Sequence, residues 1–130
     1  MIALDTNVVV RYLAQDDEVQ FRAVLRLLTR KEECYFVADL VLAETDWVLR
    51  NLYDWPHEQV AEAFARLTII QNLVFEDESR LRASLQAVRK GADLADELLV
   101  RASRARGCQH FASFDKGVLK RHRPYAISLS

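Results

Sequence analysis

Short apolar runs and longer amphipathic stretches alternate along the whole chain. The short runs predict buried strands at 2–4, 35–37, 73–75 and 110–114, with an edge strand at 125–129. Apolar residues at helical spacing predict helices from Asn7, at 17–30, at 39–53, after Pro56, at 78–90, at 93–106 and at 118–122. Parallel strands need crossover connections such as these helices. The pattern therefore predicts an α/β fold, a three-layer α/β/α sandwich with a mostly parallel central sheet.

Polar residues and glycines mark the expected ends of these helices. Asp16 or Asp17 is expected to cap the helix at 17–30, and Asp39 the helix at 39–53. Gly91 and Gly107 are expected to end the helices at 78–90 and 93–106. The buried face of the helix at 17–30 is predicted to contain Val19, Ala23, Val24, Leu27 and Leu28.

Composition narrows the class of protein. The chain has 130 residues and 51% hydrophobic content, which predicts one globular domain over 1–130. Cys34 and Cys108 form no close pair and have apolar neighbours, so we expect small core residues in a reduced compartment. The histidines lack the spacing of zinc ligands. No apolar run reaches the ~20 residues of a membrane span, which favours a cytoplasmic protein without a membrane partner.

The net charge of −1 conceals a basic C-terminal part. From Leu99 onward only one acid, Asp115, accompanies seven basic residues, which are Arg101, Arg104, Arg106, Lys116, Lys120, Arg121 and Arg123. Such a run is by default a solvated helix face, and the alternative is a rim that binds phosphate groups.

Two aspartates end predicted strands in the same way. Asp5 follows the run Ile2 to Leu4, and Asp115 follows the run that ends at Phe114. Ligands of parallel α/β sheets bind outside the carboxyl ends of the strands. Both aspartates are therefore candidates for a functional site, although either is also a good turn residue.

Acids also interrupt two apolar helix faces. Glu44 has apolar residues three and four positions away on both sides, including Leu40 and Trp47, so we expect it to be confined and paired with a cation. That cation is either a buried arginine or a metal ion shared with other acids. Asp96 lies on a similar face, one turn after Asp93, and two such carboxylates repel each other unless a cation is present.

Four stretches of the chain together resemble a known family. LDTNVVVRYL, VLAETDWVL, GADLADELLVRASRARGC and FASFDK are similar, in that order, to the acidic motifs of PIN-domain nucleases, most closely the VapC-type toxins of bacterial toxin-antitoxin pairs. The resemblance implies that Asp5, Glu44, Asp96 and Asp115 form an acidic quartet that binds Mg²⁺ or Mn²⁺. It implies supporting roles for Thr6, Asn7 and Ser113, the last at a position where threonine is commoner, and an assisting role for Asp93.

This resemblance implies a function as well. The expected activity is hydrolysis of RNA by a metal-activated water, with Asp5 and Asp96 as the main ligands. Carboxylates without histidine or cysteine favour Mg²⁺ or Mn²⁺ over zinc. Expected partners are RNA, a VapB-like antitoxin and a second copy in a homodimer. The expected RNA-binding residues are Arg101, Arg104, Lys116, Lys120 and Arg121.

Other classes fit the sequence less well. A haloacid-dehalogenase-type phosphohydrolase needs a second aspartate where this chain has Asn7, and a receiver domain needs an acid pair that is absent after the first strand. The remaining alternative is an inactive PIN-like module that binds RNA or an antitoxin. Packing is the favoured role for Tyr12, Phe21, Trp47 and Trp55, with base stacking or an oligomer interface as the alternatives.

Overall fold

The computed structural model describes residues 1–129, and its strands are short and parallel. Three of them pair in the order β1 (Ile2–Ala3), β2 (Tyr35–Val37) and β3 (Leu73–Phe75). The other two, β4 (Phe111–Ser113) and β5 (Ala126–Ser128), form a separate parallel pair. The predicted α/β fold with parallel strands is confirmed, and its hydrogen-bonded ladders divide into these two parts.

Helices occupy the connections, as the periodicity predicts. In chain order they are α1 (Thr6–Ala14), α2 (Glu18–Leu28), α3 (Asp39–Leu52), α4 (His57–Leu67), α5 (Glu78–Arg89), α6 (Leu94–Ala105) and α7 (Lys116–Arg121). α1 packs on α2 and α3, while α5 packs on α4 and α6. No helix within residues 1–129 has the length and apolar character needed to cross a bilayer.

Buried apolar side chains form two clusters. The main core combines strand residues such as Tyr35 and Val37 with residues from α1 and α3 to α6. The second cluster is small and consists of Val100, Val118, Tyr125 and Ala126, with Phe111 and Leu119 packed against it. α6 joins the two, because Leu94 and Leu98 belong to the main core and Val100 to the small cluster.

Several sequence predictions about burial and caps are wrong. Val19 and Ala23 are exposed, because α2 turns only the side of Val24, Leu27 and Leu28 toward the protein. Both cysteines are exposed, since Cys34 precedes β2 and Cys108 lies in the turn before β4.

The cap of α3 also differs from the prediction. Asp39 is the first helical residue, and the N-cap position belongs to Ala38, which makes no side-chain cap. The carboxylate of Asp39 is instead 2.8 Å from Nη2 of Arg80. The side chain of Asp17 does cap α2 as predicted, accepting a hydrogen bond from the backbone of Gln20.

Candidate active site

Thr6 links the first two acids of the predicted quartet, Asp5 and Glu44. Asp5 follows β1 and is the N-cap of α1, where its Oδ1 accepts a hydrogen bond from the backbone nitrogen of Thr6 at 2.8 Å. The Thr6 hydroxyl donates to Oε1 of Glu44 at 3.3 Å. Because Glu44 lies in α3, this contact brings the end of β1 and the middle of α3 together.

A second group of acids surrounds the start of α6. Asp93 is the N-cap of α6, and its Oδ2 accepts from the backbone nitrogen of Asp96 at 3.1 Å. Asp115 caps α7 by accepting from the backbone of Val118 at 2.9 Å. Ser113 holds Asp115 in place, since the Ser113 hydroxyl accepts from the Asp115 backbone nitrogen at 2.9 Å. Asn7 is exposed.

In this second group of acids, the pKa of Asp96 is shifted. Its pKa is raised above the ordinary value, first by burial and then by the negative charges of Asp93 and Asp115. Glu97 adds to the effect, while Arg121 opposes it. Crowded carboxylates resist simultaneous ionisation, so this group would be stabilised by a bound cation.

Glu44 is less confined than the sequence predicts. Its side chain is exposed, and so are Leu40 and Trp47 on the same side of α3. The prediction that Glu44 is held in an apolar pocket is wrong, because its apolar neighbours are themselves open to solvent. The preferred assignment of Trp47 to packing is wrong for the same reason, whereas Tyr12 and Trp55 do pack against the main core.

A buried acid–arginine pair does exist on α3, and it involves Asp46. Asp46 is 1% exposed, and its two carboxylate oxygens accept from Nε and Nη2 of Arg50 at 3.0 and 2.9 Å. The hydrogen bonding of Arg50 to Asp46 raises the pKa of Arg50, and the charges of Asp46 and Asp93 act in the same direction. Nη2 of Arg50 is also 3.6 Å from Oδ1 of Asp93.

Arg50 therefore links α3 to the residue that begins α6. The sequence analysis did not predict this link. The four-residue spacing of Asp46 and Arg50 in a helix does favour an ion pair between them. This link fixes the position of α3 relative to the start of α6. α3 carries Glu44 directly and contacts the Asp93 side through Arg50.

The predicted RNA-binding residues differ in how freely they can reach a ligand. Arg101 is paired with Glu97 at 3.3 Å, and the guanidinium of Arg104 lies 4.1 Å from the ring centre of Tyr125. Arg121 donates to the carbonyl oxygen of Gly91 at 2.9 Å. Lys116 and Lys120 are exposed and form no ion pair within residues 1–129.

Glu97, next to Asp96 in the chain, has a structural role. It is 2% exposed and contacts Nε2 of His122 as well as Arg101. The contact connects α6 to the segment between α7 and β5. These two contacts account for a buried acid in the first turn of α6 without any ligand.

The donor set suits a hard cation, although no cage is already formed. Within residues 1–129, no three Asp, Glu, His or Cys side chains are close enough together to hold a metal ion between them. Oxygen donors from carboxylates are nevertheless the ligands that Mg²⁺ and Mn²⁺ prefer. The residues that would hold a cation here are those of the predicted quartet, with Asp5 and Asp96 as main ligands and Glu44 and Asp115 beside them.

Comparison with models of protein families gives a match. The family model of the PIN domain matches residues 2–123, which include every acid described above. No curated protein sequence matches this chain.

Proposed function

The chain belongs to the PIN-domain family, whose members are generally metal-dependent nucleases, and we propose that it is a divalent-metal-dependent endoribonuclease. The observation that carries this proposal is the half-buried Asp96, whose pKa is raised first by burial and then by the negative charges of Asp93 and Asp115. Helix capping alone accounts for Asp5, Asp93 and Asp115, but it does not require Asp96. The position of Asp96 beside two other acids supports the proposal of a cation site.

In the proposed mechanism the protein orients an ion and a phosphodiester. A bound Mg²⁺ or Mn²⁺ would lower the pKa of a water molecule and offset the charge that develops on the phosphate oxygens. Asp5 and Asp96 would hold the ion, while Glu44 and Asp115 would orient waters or complete the ligand geometry. Thr6 fixes the position of Glu44, and Ser113 fixes that of Asp115.

RNA binding is assigned to basic side chains near these acids. Lys116 follows Asp115 directly, and Lys120 lies one turn later on α7, so both are free to contact backbone phosphates. Arg121 lies near Asp96, where its positive charge acts on that carboxylate. Arg101 and Arg104 would contribute at the far end of α6, after partial release from Glu97 and Tyr125.

The proposed biological role is that of a VapC-type toxin. It rests on the similarity of the four acidic motifs, and it implies a VapB-like antitoxin that blocks the site. We also propose a homodimer, which would cover some of the exposed apolar side chains, including Leu40, Leu52 and Leu99. Light scattering at micromolar concentration should then give twice the 15.0 kDa mass of the chain, and a monomeric mass would contradict the dimer.

The competing function is an inactive PIN-like module that only binds RNA or an antitoxin. A single assay on purified protein distinguishes the two functions. Cleavage of a single-stranded RNA in Mg²⁺ or Mn²⁺, abolished by a chelator, would establish the nuclease. Binding without cleavage in either metal would establish the module.

Glu44→Gln separates a role at the metal from a role in stability. Glu44 is exposed and contacts Thr6, and a glutamine oxygen can accept the same hydrogen bond. The free energy of unfolding in chelator should therefore change by less than about 0.5 kcal/mol. Metal affinity and cleavage should fall by about 10- to 100-fold, as for other groups that support metal ligands. Thermal melts with and without Mn²⁺, together with cleavage rates, measure both effects. A large loss of stability in chelator would show that Glu44 has a structural role instead.

A further inference from the structure

Two aromatic side chains on this protein are exposed, and both lie beside acids of the candidate site. The sequence contains 2 Trp, 4 Tyr and 6 Phe residues. Over residues 1–129, only Trp47 and Phe114 among them are exposed, at 54% and 73%. Trp47 lies one helical turn after Glu44, and Phe114 immediately precedes Asp115.

The other aromatic residues show that this placement is selective. Tyr35 and Phe64 are fully buried, and Tyr12 stacks on Phe21 with ring centres 6.2 Å apart. Trp55 packs against the main core. Large aromatic rings lose hydrophobic stabilisation when they remain in water, so two open rings, each beside an acid of the candidate site, suit a ligand with flat apolar faces.

The charges next to Phe114 indicate which flat ligand fits. Lys116 is exposed two residues after Phe114, and Lys120 follows on the same short helix. Rings that stack on bases and adjacent cations that contact phosphates are the two parts of a site for single-stranded nucleic acid. An apolar protein surface would match the rings but would leave the lysines without counter-charges.

We propose that Trp47 and Phe114 are stacking positions for unpaired nucleobases of an RNA bound at the acids. The inference rests on the proposed nuclease function and adds to it two residues that hold the bases of the substrate. A base can stack on a protein ring only when it has left its own helical stack, as single strands and loops permit. The site would therefore select unpaired nucleotides and disfavour continuous duplex.

The first test reads stacking directly from Trp47 fluorescence and does not depend on cleavage. In a Trp55→Phe background, Trp47 is the remaining tryptophan. A chelator is present throughout, so that the strand stays intact. A mixed-sequence RNA of about 12 nucleotides should quench the emission, since this length covers a typical single-strand site. An abasic strand of equal length and charge, and the matching duplex, should quench far less. Equal quenching by the abasic strand would overturn the proposal, because backbone contacts would then explain binding.

The second test uses graded substitutions. Trp47→Ala and Phe114→Ala should each weaken RNA binding by about 5- to 100-fold, the range seen when a ring that stacks a base is removed. Trp47→Phe should retain most of the affinity, whereas Trp47→Leu, which is apolar without a π face, should not. Ile69→Ala is the matched control, because Ile69 is equally apolar, 76% exposed and not part of the proposed site. In cleavage assays the Trp47 variants should raise KM more than they lower kcat.

The outcomes separate this proposal from the proposed nuclease function. Metal-dependent cleavage with unchanged KM and no base-dependent quenching would leave the nuclease standing and refute the stacking positions. Base-dependent quenching without cleavage in any metal would support stacking on a protein that is not a nuclease. If Trp47→Ala lowers the mass in light scattering while RNA affinity is unchanged, Trp47 belongs to an interface between copies, and the proposal is wrong.

Discussion

Asp96→Asn should abolish metal-dependent RNA cleavage while leaving the metal-free protein folded. A main metal ligand supports several kcal/mol of transition-state stabilisation, so the rate should fall by at least about 10³-fold. Asparagine keeps the size of the side chain and the backbone contact of Asp96 with Asp93. Asp5→Asn should behave in the same way, since asparagine is as good an N-cap as aspartate. Rates with Mg²⁺, Mn²⁺ or chelator measure the effect.

The same substitution has a predictable effect on stability. Because the pKa of Asp96 is raised in the folded protein, its ionised form is less stable there than in the unfolded chain. Asp96→Asn should thus raise the melting temperature of the metal-free protein at neutral pH. The gain should shrink as the pH falls through the raised pKa, because wild-type Asp96 then becomes neutral. Added Mn²⁺ should stabilise the wild type more than the variant.

A matched substitution controls for the replacement of a helix-capping aspartate by asparagine. Asp17 caps α2 through the backbone of Gln20 and is not part of the candidate site, so Asp17→Asn should cleave RNA normally. If the protein is a toxin, expression should arrest bacterial growth for the wild type and Asp17→Asn, and not for Asp96→Asn. Wild-type rates in Asp5→Asn and Asp96→Asn would refute the metal assignment.

Arg50→Ala should destabilise the protein strongly, because it removes the partner of a buried acid. It would leave the Asp46 carboxylate, which is 1% exposed, without the two hydrogen bonds it accepts. Removing one partner of a buried ion pair typically costs about 3 kcal/mol or more. For a chain of this length the melting temperature should fall by about 10 °C. Chemical and thermal unfolding measure the loss.

Two comparison variants test the cause of this loss. Arg22→Ala removes an exposed partner of Glu18 and should cost no more than about 0.5 kcal/mol. Replacing Asp46 and Arg50 together by leucine and methionine should recover much of the stability, because no buried charge is then left alone. If Arg50→Ala melts like Arg22→Ala, the buried pair contributes little.

The sequence predicts the order and type of the elements well because local signals agree with the fold. Asp17 begins α2 as the capping rule predicts, the helix predicted at 93–106 begins at its N-cap Asp93, and Gly91 and Gly107 lie in the turns that follow α5 and α6, both with positive φ. The short apolar runs become β2 and β3 almost residue for residue. Such signals depend only on neighbours in the chain.

Burial of particular side chains is harder to predict because it depends on what covers each face. Glu44 has apolar neighbours in sequence, but nothing within residues 1–129 covers Leu40 or Trp47, so the expected confinement does not occur. Val19 is exposed for the same kind of reason. Asp46 is only two residues from Glu44, yet it points into the protein toward Arg50. A rotation of 200° around a helix separates these two acids, and sequence periodicity did not show which side is buried.

The division of the apolar residues into two clusters implies that the site is built on parts of unequal rigidity. Glu44 lies on α3, whose residues Leu42 and Leu49 belong to the main core, whereas Asp115 begins α7, whose Val118 packs in the small cluster. Proteins open in cooperative units, and those with few buried contacts open at the lowest free energy. We expect residues 111–128, which contribute Val118, Tyr125 and Ala126 to the small cluster, to be such a unit. Local opening of this unit would carry Asp115 and Phe114 away together while Asp5 and Glu44 stay in place, so part of the site could disassemble without global unfolding.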